Sequence, residues 1–256
     1  MVLQAEEGRL ITSAAARILV ATAVPAERDA VARAFPGHAT EVPLPGAAVT
    51  PVTPVTLHRL PAGPDLLAAG VGPALAAART ATALTAAALH GRPYALVVST
   101  GIAGGFVPEA PVGSLVVADE ITAADLGAET AEGFLPVTDL GFGTVTHRPP
   151  EALVRDAATA TGARPGTVLT VSTVTGTAAR AIALRAHHPR ALAEAMEGFG
   201  VAEAAAAHGT PVLELRAISN PVGPRDRAGW RIGEALQALT DGFGKLAPVL
   251  ESWKPA

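Results

Sequence analysis

Short apolar runs alternate with helical patterns along most of this 256-residue chain. Several runs are rich in β-branched residues and bounded by glycine or proline, which is typical of buried strands in a parallel sheet. We predict such strands at 17–24, within 65–72, and at 94–100, 114–118, 166–173 and 211–219.

The segments between these runs favour helices. Pro25 is typical of a first helical turn, and the acidic residues after it complement the helix dipole. We predict helices at 25–35, 74–89, 151–161, 177–186, 191–208 and roughly 228–240. Because strands and helices alternate and no linker divides the chain, we predict one α/β domain over 17–256. Its expected form is a three-layer α/β/α arrangement with a central mixed, largely parallel twisted sheet.

Three segments depart from this alternation. Residues 1–16 lack periodicity, so we expect a flexible N-terminal extension. The proline-rich stretch 36–64 predicts edge strands joined by turns, because proline cannot donate a hydrogen bond within a central strand. Residues 125–150 carry many glycines and prolines and predict a long loop, a length that is uncommon in compact domains unless it is functional.

The composition excludes several kinds of protein. There is no cysteine, so disulfides, thiolate metal sites and cysteine nucleophiles are excluded. The net charge of −4 argues against a nucleic-acid partner, which normally meets a basic face. No apolar run is long enough to span a membrane, and no basic segment precedes the first apolar stretch as in a secretory signal. We therefore expect a cytoplasmic globular protein with no membrane partner.

Cofactor motifs are incomplete or missing. The segment 70–75 begins like a dinucleotide fingerprint, but its third glycine is missing and no acidic residue stands near position 90. A tight strand-to-helix turn is the favoured interpretation. There is no Walker A lysine, and the seven histidines show no metal-ligand spacing. We predict that the protein uses neither a metal nor an organic cofactor.

Three polar features are candidates for a binding site. The segment Thr100–Gly105 and the pair Ser219-Asn220 each stand at the carboxyl end of a predicted strand, although each is also compatible with an ordinary turn. Glu197 lies in an apolar stretch predicted to be helical, where a carboxylate is costly unless it is paired. Either a neighbouring arginine or a ligand with two adjacent hydroxyls would satisfy it.

Together these segments resemble the nucleoside phosphorylase/nucleosidase superfamily, on its hydrolytic branch. The matching segments are Val20–Glu27, Thr100–Gly105, Met196–Gly198 and Arg216–Asn220, in the family order. Residues 216–230 are most similar to the futalosine hydrolases, which release hypoxanthine from futalosine and leave dehypoxanthine futalosine for menaquinone biosynthesis. The resemblance implies a small nucleoside as substrate, water as the nucleophile, and a homo-oligomer of two or more copies.

The resemblance also implies roles for individual residues. Glu27 matches the glutamate that activates water, and general-base help of this kind is worth about 10²–10⁴ in rate. Glu197 matches the glutamate that binds the ribose hydroxyls, and Met196 packs beneath the sugar. Ala103 and Gly104 match backbone contacts around the water and the ribose.

The positions beside the base differ from the adenine-specific relatives. Thr173 and Val174 match the segment next to the purine, where those relatives carry an aromatic residue. Asn220, preceded by Ser219, stands where they carry aspartate. An asparagine amide cannot deliver a proton, but it can donate a hydrogen bond to O6 or N7 of a 6-oxopurine such as hypoxanthine.

The segment after Asn220 matches the part of the family that closes over the nucleoside. Trp230 matches its aromatic residue. Arg225 or Arg227 is a candidate for binding the benzoate of futalosine, because a guanidinium fork suits a carboxylate. The alternative is that Arg225 simply pairs with Asp226 in the loop.

Three other functions remain as alternatives. A purine nucleoside phosphorylase of this superfamily has an arginine where this chain has Val97-Val98-Ser99, and it lacks a glutamate like Glu27. A 5′-methylthioadenosine/S-adenosylhomocysteine nucleosidase is disfavoured by Asn220. A non-catalytic nucleoside-binding protein has no use for a water-activating carboxylate.

Overall fold

The computed structural model describes residues 16–44 and 55–254 of the chain. The helices in these ranges are α1 (Pro25–Ala32), α2 (Pro73–Leu89), α3 (Glu151–Thr161), α4 (Ala178–His187), α5 (Gly198–Ala207) and α6 (Ile232–Ser252). The strands are β1 (Ile18–Thr22), β2 (Thr40–Pro43), β3 (Thr56–Arg59), β4 (Asp65–Ala68), β5 (Leu96–Gly105), β6 (Leu115–Ala123), β7 (Gly127–Thr130), β8 (Gly133–Pro136), β9 (Thr146–His147), β10 (Arg164–Thr170), β11 (Ala191–Ala195) and β12 (Val212–Pro221). Residues 1–15 of the predicted extension, and 45–54 of the proline-rich stretch, lie outside the described residues.

A mixed sheet forms the centre of the described part of the chain. Its order is β11-β10-β6-β12-β5-β1-β4-β3-β2, with β9 beside β6 and with β7 and β8 as a separate hairpin. The strands β4, β1, β5 and β12 run parallel, so their carboxyl ends meet at one edge. The antiparallel pairing of β11 with β5 brings a further strand to that edge.

Hydrophobic clusters cover both faces of the sheet. Helices α2 and α5 contribute buried residues such as Leu84 and Phe199 to one cluster. Helices α1, α3 and α6 contribute residues such as Val31, Leu153 and Phe243 to the other. The predicted three-layer α/β/α architecture with a mixed sheet is therefore confirmed.

Small residues let α2 and α5 pack closely. Alanines of both helices, among them Ala76 and Ala205, are fully buried between them and the sheet. A side chain at Gly200 would overlap the backbone carbonyl of Pro73, the first residue of α2. This contact brings the N-terminus of α2 beside the N-terminus of α5.

The prediction of one helix over 191–208 is wrong. The segment forms the buried strand β11 and then α5, so Glu197 precedes the helix at its N-cap position instead of lying inside it. Alanine-rich sequence fits a helix well in isolation, but here burial between β10 and β5 decides the structure.

The prediction of a long loop over 125–150 is also wrong. Strands β7 and β8 form a hairpin within it, and β9 adds to the main sheet. These strands are short and partly exposed, and their two-residue connection, Ala131-Glu132, lacks the usual Asn-Gly signal.

Two further boundaries differ from prediction. The glycine-rich segment 101–105 is the second half of β5, because β12 and β11 pair with it on both sides. The last helix begins at Ile232 and continues to Ser252 through Pro248, with apolar side chains buried at helical spacing. No helix in the described ranges is long and apolar enough to cross a membrane.

Candidate active site

A fully buried arginine lies among three glutamates near the carboxyl ends of the parallel strands. Arg216, on β12, donates from Nε to Glu214 Oε1 at 2.8 Å and from Nη2 to Ser99 Oγ at 3.1 Å. Its Nη1 lies 3.5 Å from Oε2 of Glu197. Burial raises the pKa of Glu214, and the charge of Arg216 opposes that rise. The positive charge of Arg216 therefore acts on all three carboxylates, those of Glu214, Glu197 and Glu27.

Glu27 is held where β1 and β5 lie side by side. Its Oε2 accepts from the backbone N–H groups of Ala23 at 2.9 Å and Val24 at 3.2 Å. Its Oε1 accepts from the N–H of Ile102 at 2.9 Å. The carboxylate approaches Gly101 so closely that a Cβ there would lie 2.5 Å from Oε1, and Gly101 has a φ of +149°. Three backbone N–H groups thus fix both oxygens of Glu27.

Burial raises the pKa of Glu27, of which 4% is exposed. The nearby positive charge of Arg216 and the hydrogen bonds from Ile102 and Val24 oppose that rise, while Glu197 adds to it. A carboxylate with a raised pKa is a stronger base than an exposed one once it is ionised. The position is therefore suited to taking a proton from water.

Glu197 occupies the junction of two helix N-termini. Its Oε1 accepts from the N–H of Gly72, at the start of α2, at 3.2 Å, while Oε2 faces Arg216. Only 7% of the residue is exposed. The sequence predicts that either a neighbouring arginine or a ligand would satisfy Glu197, and Arg216 is such an arginine.

A second group of predicted residues lines a small cavity of about 60 Å³ between β5, β11 and β12. The residues that line it include Gly104, Val174, Thr175, Glu194, Asn220, Val222, Arg225 and Trp230. Thr173 is exposed and Met196 is half-buried, and neither is among the described residues that line this cavity.

Asn220 has a defined orientation in this cavity. The buried hydroxyl of Ser219 donates to Asn220 Oδ1 at 2.8 Å and lies 3.3 Å from the carbonyl oxygen of Ala103. Asn220 Nδ2 donates to the carbonyl of Pro221 at 2.9 Å, which uses one of its two hydrogens. The amide therefore keeps one N–H as a donor.

The arginines after Asn220 differ in position. The Arg225 guanidinium lies 5.4 Å from the ring centre of Trp230, at the cavity. Asp226 accepts from the backbone N–H of Ala228 at 3.1 Å, and it makes no ion pair with Arg225 within the described residues. Arg227 is exposed, in a short 3-10 turn that does not line the cavity.

Sequence reasoning missed two features of the site. Glu214 and Arg216 stand two residues apart in an apolar strand, and this spacing alone indicates a charged pair on one face. Glu194 lies on strand β11, and the incorrect prediction of one helix over 191–208 gives no reason to single it out. Among the described residues, no group of histidine, aspartate and glutamate side chains could hold a metal ion.

The fold and the site define a class of protein. A family model described as the phosphorylase superfamily matches residues 17–250. The chain therefore belongs to this superfamily, within which it groups with the futalosine hydrolases. The futalosine hydrolase of Streptomyces coelicolor is 81% identical over 93% of this chain and 98% of the relative. That of Acidothermus cellulolyticus is 46% identical over 89% of each chain.

A solved structure supports the fold independently. The futalosine hydrolase of Helicobacter pylori matches with a TM-score of 0.72 and 18% identity, over 91% of this chain and 97% of that one. The predicted family and the predicted fold are confirmed. The relatives also confirm the predicted class of enzyme, a nucleosidase.

Proposed function

We propose that this protein hydrolyses the N-glycosidic bond of futalosine, releasing hypoxanthine and dehypoxanthine futalosine for menaquinone biosynthesis. The observation that carries the proposal is the 81% identity to a futalosine hydrolase over nearly the whole length of both chains. The mechanism that we propose uses water, two carboxylates and an amide.

Glu27 acts as the general base. Its carboxylate takes a proton from water while the water oxygen bonds to C1′ of the ribose and the bond from C1′ to the base breaks. The electron pair of that bond leaves with hypoxanthine, which then takes up a proton from solvent. The three backbone donors to Glu27 keep the carboxylate in one orientation for this step.

Glu197 binds the 2′- and 3′-hydroxyls of the ribose. Its negative charge also stabilises the oxocarbenium-like transition state, in which the sugar becomes cationic. The N–H of Gly72 donates to Oε1 of this carboxylate, and the guanidinium of Arg216 lies 3.5 Å from Oε2. Met196 and the backbone of Ala103 and Gly104 complete the contacts with the sugar.

Asn220 recognises the leaving base. Because the Ser219 hydroxyl is bonded to Oδ1, the remaining Nδ2 hydrogen is the group available to O6 or N7 of hypoxanthine. Leaving such a donor unpaired costs about 1–3 kcal/mol. Val174 lies beside the base, and Trp230 covers it. Thr173 is exposed and does not line the cavity, so we assign it no contact with the base.

A purine-release assay tests the proposal. The purified enzyme is incubated with futalosine, its 6-amino analogue aminodeoxyfutalosine, methylthioadenosine and inosine, with and without phosphate. We expect hypoxanthine to be released from futalosine with the highest kcat/KM, independently of phosphate. An absolute requirement for phosphate would identify a phosphorylase. Faster release of adenine from methylthioadenosine would identify a 5′-methylthioadenosine/S-adenosylhomocysteine nucleosidase. Tight binding without turnover would identify a nucleoside-binding protein.

The setting of the reaction also follows from the family resemblance. We propose a cytoplasmic homo-oligomer of two or more copies that needs no cofactor. Light scattering during gel filtration measures the oligomeric state, and a monomer of full activity would contradict this part of the proposal.

The acid side of the pH profile reports the state of Glu27. Because burial raises its pKa above the ordinary value of 4.5, we expect kcat/KM for futalosine to fall as the pH drops through a midpoint above 4.5. The protonated carboxyl cannot accept the proton of water. The raised pKa also means that the folded protein binds this proton more tightly than the unfolded chain does. The contribution of Glu27 to the free energy of unfolding therefore increases as the pH falls through the raised pKa. A midpoint at or below 4.5, with circular dichroism showing an intact fold, would contradict the assignment.

Arg225 is the better placed of the two candidate residues for the benzoate. We expect Arg225→Met to lower kcat/KM for futalosine about 10- to 100-fold, because a charged hydrogen bond is lost. The loss on inosine, which has no benzoate, should stay within about threefold. Arg227→Met is the matched control and should affect neither substrate strongly. Equal losses on futalosine and inosine for Arg225→Met would eliminate a role in binding the acid.

A further inference from the structure

Glu194 is a buried carboxylate without a role in the mechanism above. Only 4% of the residue is exposed. Its Oε1 accepts from the N–H of Thr175 at 2.8 Å, and its Oε2 accepts from the Thr175 hydroxyl at 2.5 Å. Two carboxylate oxygens can accept about four hydrogen bonds. Glu194 therefore keeps acceptor capacity beyond its two bonds with Thr175.

Glu194 and Asn220 face each other across one strand. In the sheet register, Gly104 on β5 pairs with Glu194 on β11 and with Asn220 on β12. Paired residues on neighbouring strands lie about 5 Å apart, so the backbones of Glu194 and Asn220 are about 10 Å apart. Gly104 between them has no side chain, and all three residues line the same cavity. The cavity thus has a carboxylate on one side and an amide on the other.

We propose that Glu194 accepts a hydrogen bond from N1–H of the 6-oxopurine base, and that Glu194 and Asn220 together select hypoxanthine over adenine. The proposal rests on the proposed function and adds a specificity residue to it. Hypoxanthine has a donor at N1 and an acceptor at O6, which match a carboxylate and an amide N–H. Adenine has the reverse, an acceptor at N1 and a donor at N6. A carboxylate facing N1 of adenine leaves two acceptors in contact.

A substitution that reverses the hydrogen-bond character tests this assignment. Glu194→Gln keeps the size of the side chain and gives it a donor that can pair with N1 of adenine. We expect the wild type to prefer futalosine over aminodeoxyfutalosine in kcat/KM. The Glu194→Gln variant should show that preference reduced by about 10- to 100-fold, the range expected for one mismatched buried hydrogen bond.

A control separates base recognition from support of the neighbouring segment. Asp125 accepts from the N–H of Ser172 at 2.7 Å, so it holds the segment that contains Thr175 from outside the cavity. Asp125→Ala should therefore lower kcat/KM for both substrates by a similar factor and leave their ratio unchanged. If Glu194→Gln behaves in the same way, Glu194 only positions that segment and the proposal is overturned.

A base titration of the wild type decides the question without catalysis or folding of a variant. Calorimetry measures Kd for hypoxanthine, for 1-methylhypoxanthine, which lacks the N1 donor, and for adenine. We expect hypoxanthine to bind at least about tenfold more tightly than either of the others. Equal affinity for hypoxanthine and 1-methylhypoxanthine would overturn the role of Glu194. If the wild type hydrolyses no futalosine, the proposed function fails, but this titration still tests Glu194.

Discussion

Replacing Glu27 by glutamine should lower kcat for futalosine by at least about 10²-fold, while Kd for the substrate stays within a few-fold of the wild-type value. The amide cannot accept a proton from water at neutral pH. It also cannot accept from all three of the backbone N–H groups that now bond to the carboxylate, those of Ala23, Val24 and Ile102. Glutamine therefore satisfies fewer of these donors than the glutamate carboxylate does.

The measurement for Glu27→Gln combines single-turnover kinetics with calorimetric binding, at a temperature well below the midpoint of unfolding. Glu251→Gln, an exposed substitution of the same kind on α6, is the matched control and should leave both kcat and stability unchanged. A loss of turnover smaller than about tenfold would show that Glu27 is not the general base.

Replacing Arg216 by methionine should lower the free energy of unfolding by about 3–5 kcal/mol, the range for removing one partner of a buried ion pair. Arg216 and Glu214 are both fully buried, so the substitution removes the cation that pairs with Glu214 in the described part of the chain. The same change removes the positive charge that lowers the pKa of Glu27. We therefore also expect the acid limb of the activity profile to move to higher pH.

Urea unfolding at fixed protein concentration measures the effect of Arg216→Met. The double substitution Arg216→Met with Glu214→Leu should recover a substantial part of the lost stability, because both charges are then gone. Arg155→Met is the surface control, since the pair of Arg155 with Asp156 is exposed, and it should change stability by less than about 0.5 kcal/mol. A loss below about 1 kcal/mol for Arg216→Met would contradict the role of this cluster in stability.

The sequence predicts a helix or strand well where the residues that begin and end it favour the same structure as its tertiary contacts. Helix α3 spans 151–161 as predicted, because Pro150 precedes it and Gly162 ends it in the left-handed conformation. Strand β11 was missed because its alanines fit a helix equally well, and only the neighbours β10 and β5 decide between the two structures. Since these neighbours are distant in sequence, no local pattern records them.

The same difference applies to the candidate site. Glu27, Glu197 and Asn220 could be identified because each falls in a family segment with recognisable neighbours. Glu194 could not, since its significance depends on Gly104 pairing with two strands at once. Arg216 belongs to the family segment Arg216–Asn220, but its burial among three carboxylates follows only from the packing of β12 against β5 and β6.

The close approach of α2 and α5 at Gly200 and Pro73 fixes the position of Glu197 relative to Gly72. Gly72 immediately precedes Pro73, and Glu197 lies three residues before Gly200. The distance between the Glu197 carboxylate, which we propose binds the ribose, and its amide donor Gly72 is therefore determined by the separation of the two helices. A methyl group at position 200 would overlap the carbonyl of Pro73 and move the two helices apart. On the proposed role of Glu197, that movement weakens ribose binding through the separation of the two helices. The missing side chain of Gly200 thus sets the separation of α2 and α5, and with it the distance from Gly72 to Glu197.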